Sequence, residues 1–391
     1  MFDVIVVGAR CAGAATALLL ARSGYRVLLV ERAWFPQDTM STLYVHQAGV
    51  ALLADWGVLD EVLATGCPQL DRVTYGIEDV RLHGHAATWQ GIAYGIAPRR
   101  ILLDQLLVDA AVLAGAEFQD GHKVIGLLTD GRRVTGVRLA GQPPIEVRAR
   151  LVVGADGMRS TVARLAGAEL VTSDPLTSCV HYSVWQGLSR EFEFYERTGY
   201  WVAVIPTNDD LTMVATYQPQ HRFARLRTDA LAGHLAAVRT AAPEVADRMA
   251  GAPRVGPLYG SGDQRNFFRQ PAGPGWVLVG DAGHHKDSMT ARGITDALRQ
   301  ADLLCSVIGE RLVDEHGLAT ALREFAERRT ALLTDGYRNT LALARLEVSP
   351  GRLAMLRAIS ESADLVDRYF AVFAGISSMD ELITPELLAR I

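Results

Sequence analysis

Short apolar runs and apolar stripes of helical period alternate along the chain. Phe2–Val7 is apolar apart from Asp3 and predicts a buried strand. Gly8-Ala-Arg-Cys-Ala-Gly13 interrupts it, Ala14–Ser23 predicts a helix, and Tyr25–Val30 predicts a second strand that ends at Glu31. Strand, helix and strand in this order predict a parallel pair with a crossover helix. Gln47–Trp56 reads as a helix closed by Gly57. Arg72–Tyr94 alternates apolar and polar residues around Gly76, Gly84 and Gly91, which predicts short antiparallel strands. A helix over Ile101–Ala114, strands over Lys123–Thr129 and Arg133–Leu139 joined at Asp130-Gly131, and a buried strand over Ala149–Val153 follow.

The second half changes rhythm. Ser178–Trp185, Glu191–Glu196, Gly199–Pro206 and Leu211–Tyr217 are strand-like, with turn residues at Gly187, Gly199 and Asn208-Asp-Asp210. They predict one antiparallel sheet. Phe223–Met249 is helical with a break at Pro243. Trp276–Val279 is again a buried strand, and Gly293 opens a helix with Ile294, Ala297, Leu298, Ala301 and Leu304 on its apolar face. Helical patterns continue over Gln300–Leu312 and Leu318–Arg345, beyond Pro350, and from Pro385.

The expected fold is therefore α/β: a Rossmann-like nucleotide-binding domain, an inserted antiparallel-sheet substrate domain and a C-terminal helical segment. The expected division assigns 1–70, 97–175 and 255–335 to the first, 71–96 and 176–254 to the second, and 336–391 to the helices.

Composition narrows this picture. With 391 residues, 49% hydrophobic and 21% charged, the chain can bury a large core. A net charge of -5 without a basic run argues against nucleic acid as a partner. Cys11, Cys67, Cys179 and Cys305 are scattered without metal spacing, so free thiols and a cytoplasmic location are expected. Ala14–Ala21, the longest near-apolar run, is far shorter than the ~20 residues of a membrane span. His83 and His85 share a strand face, but no third ligand accompanies them, and no metal site is expected.

Candidate chemistry gathers at strand ends. Gly8, Ala12 and Gly13 form a glycine turn before a helix, and Glu31 follows at the distance where an acid accepts from a ribose hydroxyl. The middle glycine of the usual fingerprint is replaced by Arg10. A second loop, Gly154-Ala-Asp156-Gly157, precedes a helix, where Asp156 could also be only a turn cap. A third, Gly280-Asp281, leads to Gly293 and Ile294, whose free amides would favour negative charge.

Together these loops resemble those of FAD-dependent monooxygenases of the para-hydroxybenzoate hydroxylase type; geranylgeranyl-reductase-like flavoproteins are closely similar. The resemblance spans nearly the whole chain. It implies FAD contacts at Gly8, Ala12, Gly13, Glu31, Arg32, Thr42, Arg100, Val124, Asp156, Gly157, Asp281, Gly293 and Ile294. Arg100 would reach the phosphates; its alternative is a pair with Asp104. Arg292 and His46 are the candidate catalytic side chains, with a solvent-facing charge and a helix-start residue as the respective alternatives.

NAD(P)H is implied as a transient co-substrate, and a small molecule and O2 as partners of a monomer or homodimer. The implied activity is hydroxylation or epoxidation of an aromatic or unsaturated substrate through a flavin C4a-hydroperoxide. The alternative is a reductase of the geranylgeranyl type. Trp201-Val-Ala-Val-Ile-Pro206 resembles the W-x-W-x-I-P motif of flavin halogenases, but Ala203 replaces its second Trp and neither Lys123 nor Lys286 falls where those enzymes keep a lysine. Ser288 stands where relatives usually have Pro, which predicts a looser loop. Trp185, Trp201, Met213 and Tyr217 are equally candidates for a pocket or for core.

Overall fold

A computed structural model describes residues 1–388, 390 and 391. Its main sheet is built on the predicted crossover. Phe2–Val7 pairs in parallel with Val27–Val30 on one side and with Ile145–Gly154 on the other. Ile145–Gly154 in turn pairs in parallel with Trp276–Leu278. Glu117–Gln119 extends the sheet beyond Val27–Val30. The segments 4–7, 27–30, 151–154 and 276–278 at the centre of this sheet are buried on both faces and hence continuously apolar. The helix over Cys11–Arg22 packs between them and the Gly293–Ile308 helix, with Ala14, Ala17, Leu18, Leu298 and Ala301 in one core cluster. Both helices begin without a side-chain cap.

The Cys11–Arg22 helix starts three residues before the pattern suggested, because the turn after Gly8 leads straight into helical backbone. Val124–Asp130 and Arg133–Leu139 form a hairpin that joins the long Ile145–Gly154 strand.

The second sheet has the order 254–261, 178–186, 211–219, 200–206, 192–197, 72–77, 80–85. Neighbours are antiparallel except Arg72–Ile77 against Phe192–Arg197, which run parallel. Arg254–Ser261 is its edge strand, paired with Ser178–Gln186. Those residues begin the segment expected to belong with the first sheet; Gly256, Pro257 and Gly260 break the alternation that would have marked them as a strand. One face of this sheet carries the helices Ala230–Ala241 and Pro243–Ala250, through Val238, Val245, Val202 and Val214. The other face meets the C-terminal helices Pro350–Ser360 and Ala363–Ala374, with Tyr75, Trp201 and Phe373 stacked on Phe194 and Phe370 edge-on to it. Trp185, Trp201, Met213 and Tyr217 are all core residues. No helix among the described residues is long and apolar enough to cross a membrane.

Candidate functional site

The strand order places four carboxyl-terminal strand ends in a row: Leu278, Gly154, Val7 and Val30. Three inter-strand steps of ~4.8 Å make this row roughly 14 Å long. The chain leaves Val7 toward one side and Gly154 lies on the other, the switch point where open α/β sheets bind ligands. A cleft of about 420 Å³ runs along it.

The three glycine loops meet there in close packing. A Cβ on Gly8, whose φ is +101°, would lie 2.5 Å from the Ala155 carbonyl oxygen, and one on Gly280 would lie 2.8 Å from the Ala12 Cβ. Hence the first loop touches both of the others. Gly8, Ala12, Glu31, Arg32, Thr42, Arg100, Val124, Asp156, Gly157, Asp281, Gly293 and Ile294 all line the cleft. Gly13 does not; it lies behind the turn, tight against the Gly8 carbonyl.

Local hydrogen bonds fix these residues. Glu31 accepts from the amides of Ala9 at 2.9 Å and Ala33 at 3.1 Å. Asp156 accepts from Ser160 Oγ at 2.5 Å, Thr161 N at 2.6 Å and Val162 N at 3.1 Å, so its carboxylate braces its own loop. Burial still pushes its carboxyl up. Arg100 pairs with Asp104, donating to both oxygens of that buried carboxylate, and also lines the cleft.

Three side chains at the wall, Arg10, His284 and Gln300, carry a buried atom without a hydrogen bond. Arg10 Nη1 is buried without a hydrogen bond, its nearest acid being Asp104 at 3.6 Å, and Gln300 Oε1 is likewise unbonded. An unbonded guanidinium nitrogen beside an uncapped helix start is a donor set for an anion such as a pyrophosphate. Arg10 could have been anticipated: it occupies the middle glycine position of the usual fingerprint.

The two candidate catalytic side chains lie elsewhere. His46 immediately precedes the Gln47–Asp55 helix, with Nε2 3.1 Å from the Thr290 carbonyl and its amide donating to Thr295 Oγ1. Burial, and then the Arg292 charge, push its imidazole down to about 3, so it is neutral. It joins the loop before the Gly293 helix to the rest of the fold and does not line the cleft. Arg292 does not face solvent. It is 9% exposed, its guanidinium lies against Gly336 and Gly375, and its Nε is unbonded. The C-terminal helices fold over it, which a local pattern could not foretell.

Ser288 is held rather than loose. Tyr182 Oη at 3.0 Å, Tyr217 Oη at 2.9 Å and Gln264 Nε2 at 2.9 Å converge on its Oγ. Tyr182, Gln264 and Ser288 line the cleft beside the second sheet. Next to them, Asp287 accepts from Ser178 Oγ and from Met289 N.

Burial raises the Asp287 carboxyl from 3.8 to about 6. Its folded pKa thus exceeds its unfolded one. The stability it contributes is fully present below the unfolded value and is lost as pH rises through about 6, on the order of 3 kcal/mol. Asp287→Asn should remove that loss. Unfolding free energies of variant and wild type are then expected to diverge in the variant's favour between about pH 4 and pH 7; parallel curves would contradict this.

A sequence profile for the family described as "FAD binding domain" matches residues 1–336. The chain belongs to this FAD-binding family. It is a flavin-dependent oxidoreductase of the group A monooxygenase type, and FAD is its cofactor. The flavoprotein is similar to 6-methylpretetramide 4-monooxygenase of Streptomyces rimosus, 29% identical over 90% of this chain and 86% of that one. It is 27% identical to digeranylgeranylglycerophospholipid reductase 1 of Methanopyrus kandleri, over 88% of this chain and 89% of the relative. Among solved structures it shares its fold with the flavin-dependent brominase Bmp2, at a TM-score of 0.81 and 19% identity, over 96% of this chain and 93% of that one.

Proposed function

We propose that this flavoprotein is a monooxygenase that takes electrons from NAD(P)H and inserts one oxygen atom of O2 into an aromatic or unsaturated small molecule. One observation carries the reading. A cleft lined by all three flavin-type loops opens toward a polar cluster, Tyr182, Gln264 and Ser288, at the second sheet. The similarity to 6-methylpretetramide 4-monooxygenase, over most of both chains, agrees with it.

The residues suit the group. When bound, FAD supplies the redox and oxygen chemistry; the protein binds, orients and excludes water. Arg10, Arg100 and the uncapped Cys11 helix start would hold the pyrophosphate, and Glu31 would accept from a ribose hydroxyl. Asp281 would hold the ribitol chain. The amides of Gly293 and Ile294 would face the pyrimidine edge of the ring, where negative charge develops. Asp156 would brace the loop at the phosphates from the cleft wall. His46 and Arg292 would act by positioning the loop around Ser288 and Thr290, not by touching substrate.

A second reading, a reductase of carbon–carbon double bonds, is favoured by the similarity to the Methanopyrus reductase. Oxygen electrode and NAD(P)H assays with a panel of phenols, polycyclic aromatic polyketides and prenyl compounds separate the two. Substrate-dependent O2 uptake with an oxygenated product is expected. Flavin reoxidised by substrate in the absence of O2, with a saturated product, would establish the reductase instead.

A further inference from the structure

Lys286 and Asp296 form a buried ion pair that no motif reading singled out. Each side chain is 6% exposed, and both residues line the cleft beside Gly293 and Ile294. Burial alone would raise the Asp296 carboxyl, but the Lys286 and Arg292 cations overrule it and hold it below the usual carboxylate range. Arg299 feels the same carboxylate from the next turn of the helix. One buried carboxylate therefore answers three cations, and the uncapped helix start adds further positive potential. Asp287 faces the same cleft; Ser178 Oγ and Met289 N donate to it but leave its charge in place, so above about pH 6 two carboxylates face the three cations, which stay in excess. His284, also at the wall, is pushed far down by burial and is neutral.

Unbalanced buried charge is costly unless an opposite charge meets it. For a flavin ring in this place the oxidised state is neutral, whereas the two-electron-reduced state can carry a negative charge at its pyrimidine edge. We propose that Lys286, held in position by Asp296, supplies the cleft's movable share of this positive potential and so sets how strongly the protein prefers reduced over oxidised FAD. The assignment rests on the FAD reading of the cleft and goes beyond it by giving the tuning to one side chain and its counter-ion. The helix amides are fixed by the fold, whereas the Lys286–Asp296 pair can be altered in either direction by one substitution.

The test uses FAD-loaded wild type, Lys286→Gln, Lys286→Arg and Asp296→Asn. The two-electron midpoint potential is measured against reference dyes. Sodium sulfite, whose adduct at flavin N5 also places negative charge on the ring, is titrated by loss of flavin absorbance. Lys286→Gln is expected to favour reduced FAD about tenfold less, a shift of about 30 mV to more negative potential, and to bind sulfite about tenfold more weakly. Lys286→Arg should stay near wild type. Asp296→Asn removes the counter-charge and should move both readouts the opposite way.

If Lys286→Gln does not fold, the Asp296→Asn direction carries the test alone. Unchanged potential and sulfite affinity in a flavin-loaded Lys286→Gln, or shifts of the same sign in both variants, would overturn the role of Lys286 and leave FAD binding untouched. Wild-type protein that takes up no FAD when saturated with it would overturn both.

Discussion

Arg352→Met is expected to lower the unfolding free energy by about 3–5 kcal/mol. Arg352 donates to both oxygens of Glu196 at 2.7 Å and to Tyr75 Oη at 2.7 Å, while Tyr75 Oη donates to Glu196 at 2.6 Å. Glu196 lies on the second sheet and is fully buried; Arg352 comes from the Pro350–Ser360 helix. The pair therefore fastens the C-terminal helices to the sheet. Removing the arginine leaves a fully buried carboxylate with one remaining side-chain donor, Tyr75 Oη. That penalty, more than the lost attraction, sets the magnitude. Adding Glu196→Gln to Arg352→Met should recover part of the loss, because no unpaired charge remains. Denaturant unfolding of the single and double variants checks this; a loss below about 1 kcal/mol in the single variant would contradict it.

Gly13→Ala is expected to weaken FAD binding by about a hundredfold or more, close to 3 kcal/mol. The added Cβ would lie 1.8 Å from the Gly8 carbonyl oxygen, so the backbone itself must move. Retreat is blocked, because Gly8 already lies against the Ala155 carbonyl at a left-handed φ. The turn that presents the Cys11 helix start to the cleft would therefore open. Titration of the apoprotein with FAD, followed by quenching of flavin fluorescence, measures the effect. Wild-type affinity in the variant would show that the turn does not touch the cofactor.

The glycine loops were legible because each follows a short apolar run and precedes a helix, a local pattern that Gly8, Glu31, Asp156 and Asp281 carry within a few residues. Their convergence also followed, since parallel strands in one sheet bring their carboxyl ends together. What surrounds Ser288 did not follow. Its partners Tyr182, Tyr217 and Gln264 come from three distant segments, and only the register of the second sheet turns both tyrosines toward one loop.

Arg292 reads from the sequence either as a catalytic charge or as a solvent-facing one; its burial under the C-terminal helices depends on residues far along the chain. His46 carried a local sign, as a helix-start residue, that outweighed its appeal as a catalyst. The Lys286–Asp296 pair spans one loop and one helical turn, yet nothing in the spacing distinguishes a buried ion pair from two surface charges.

The central claim is that loops beginning at Gly8, Gly154 and Gly280 hold a single FAD, with Asp281 on its ribitol. The most direct measurement is the FAD-to-protein ratio, by absorbance, of wild type and Asp281→Ala purified side by side and then saturated with FAD. Wild type should carry close to one FAD per chain and Asp281→Ala a small fraction of that after gel filtration, with its fold intact by circular dichroism. Equal flavin content in the two proteins would contradict the assignment of this cleft.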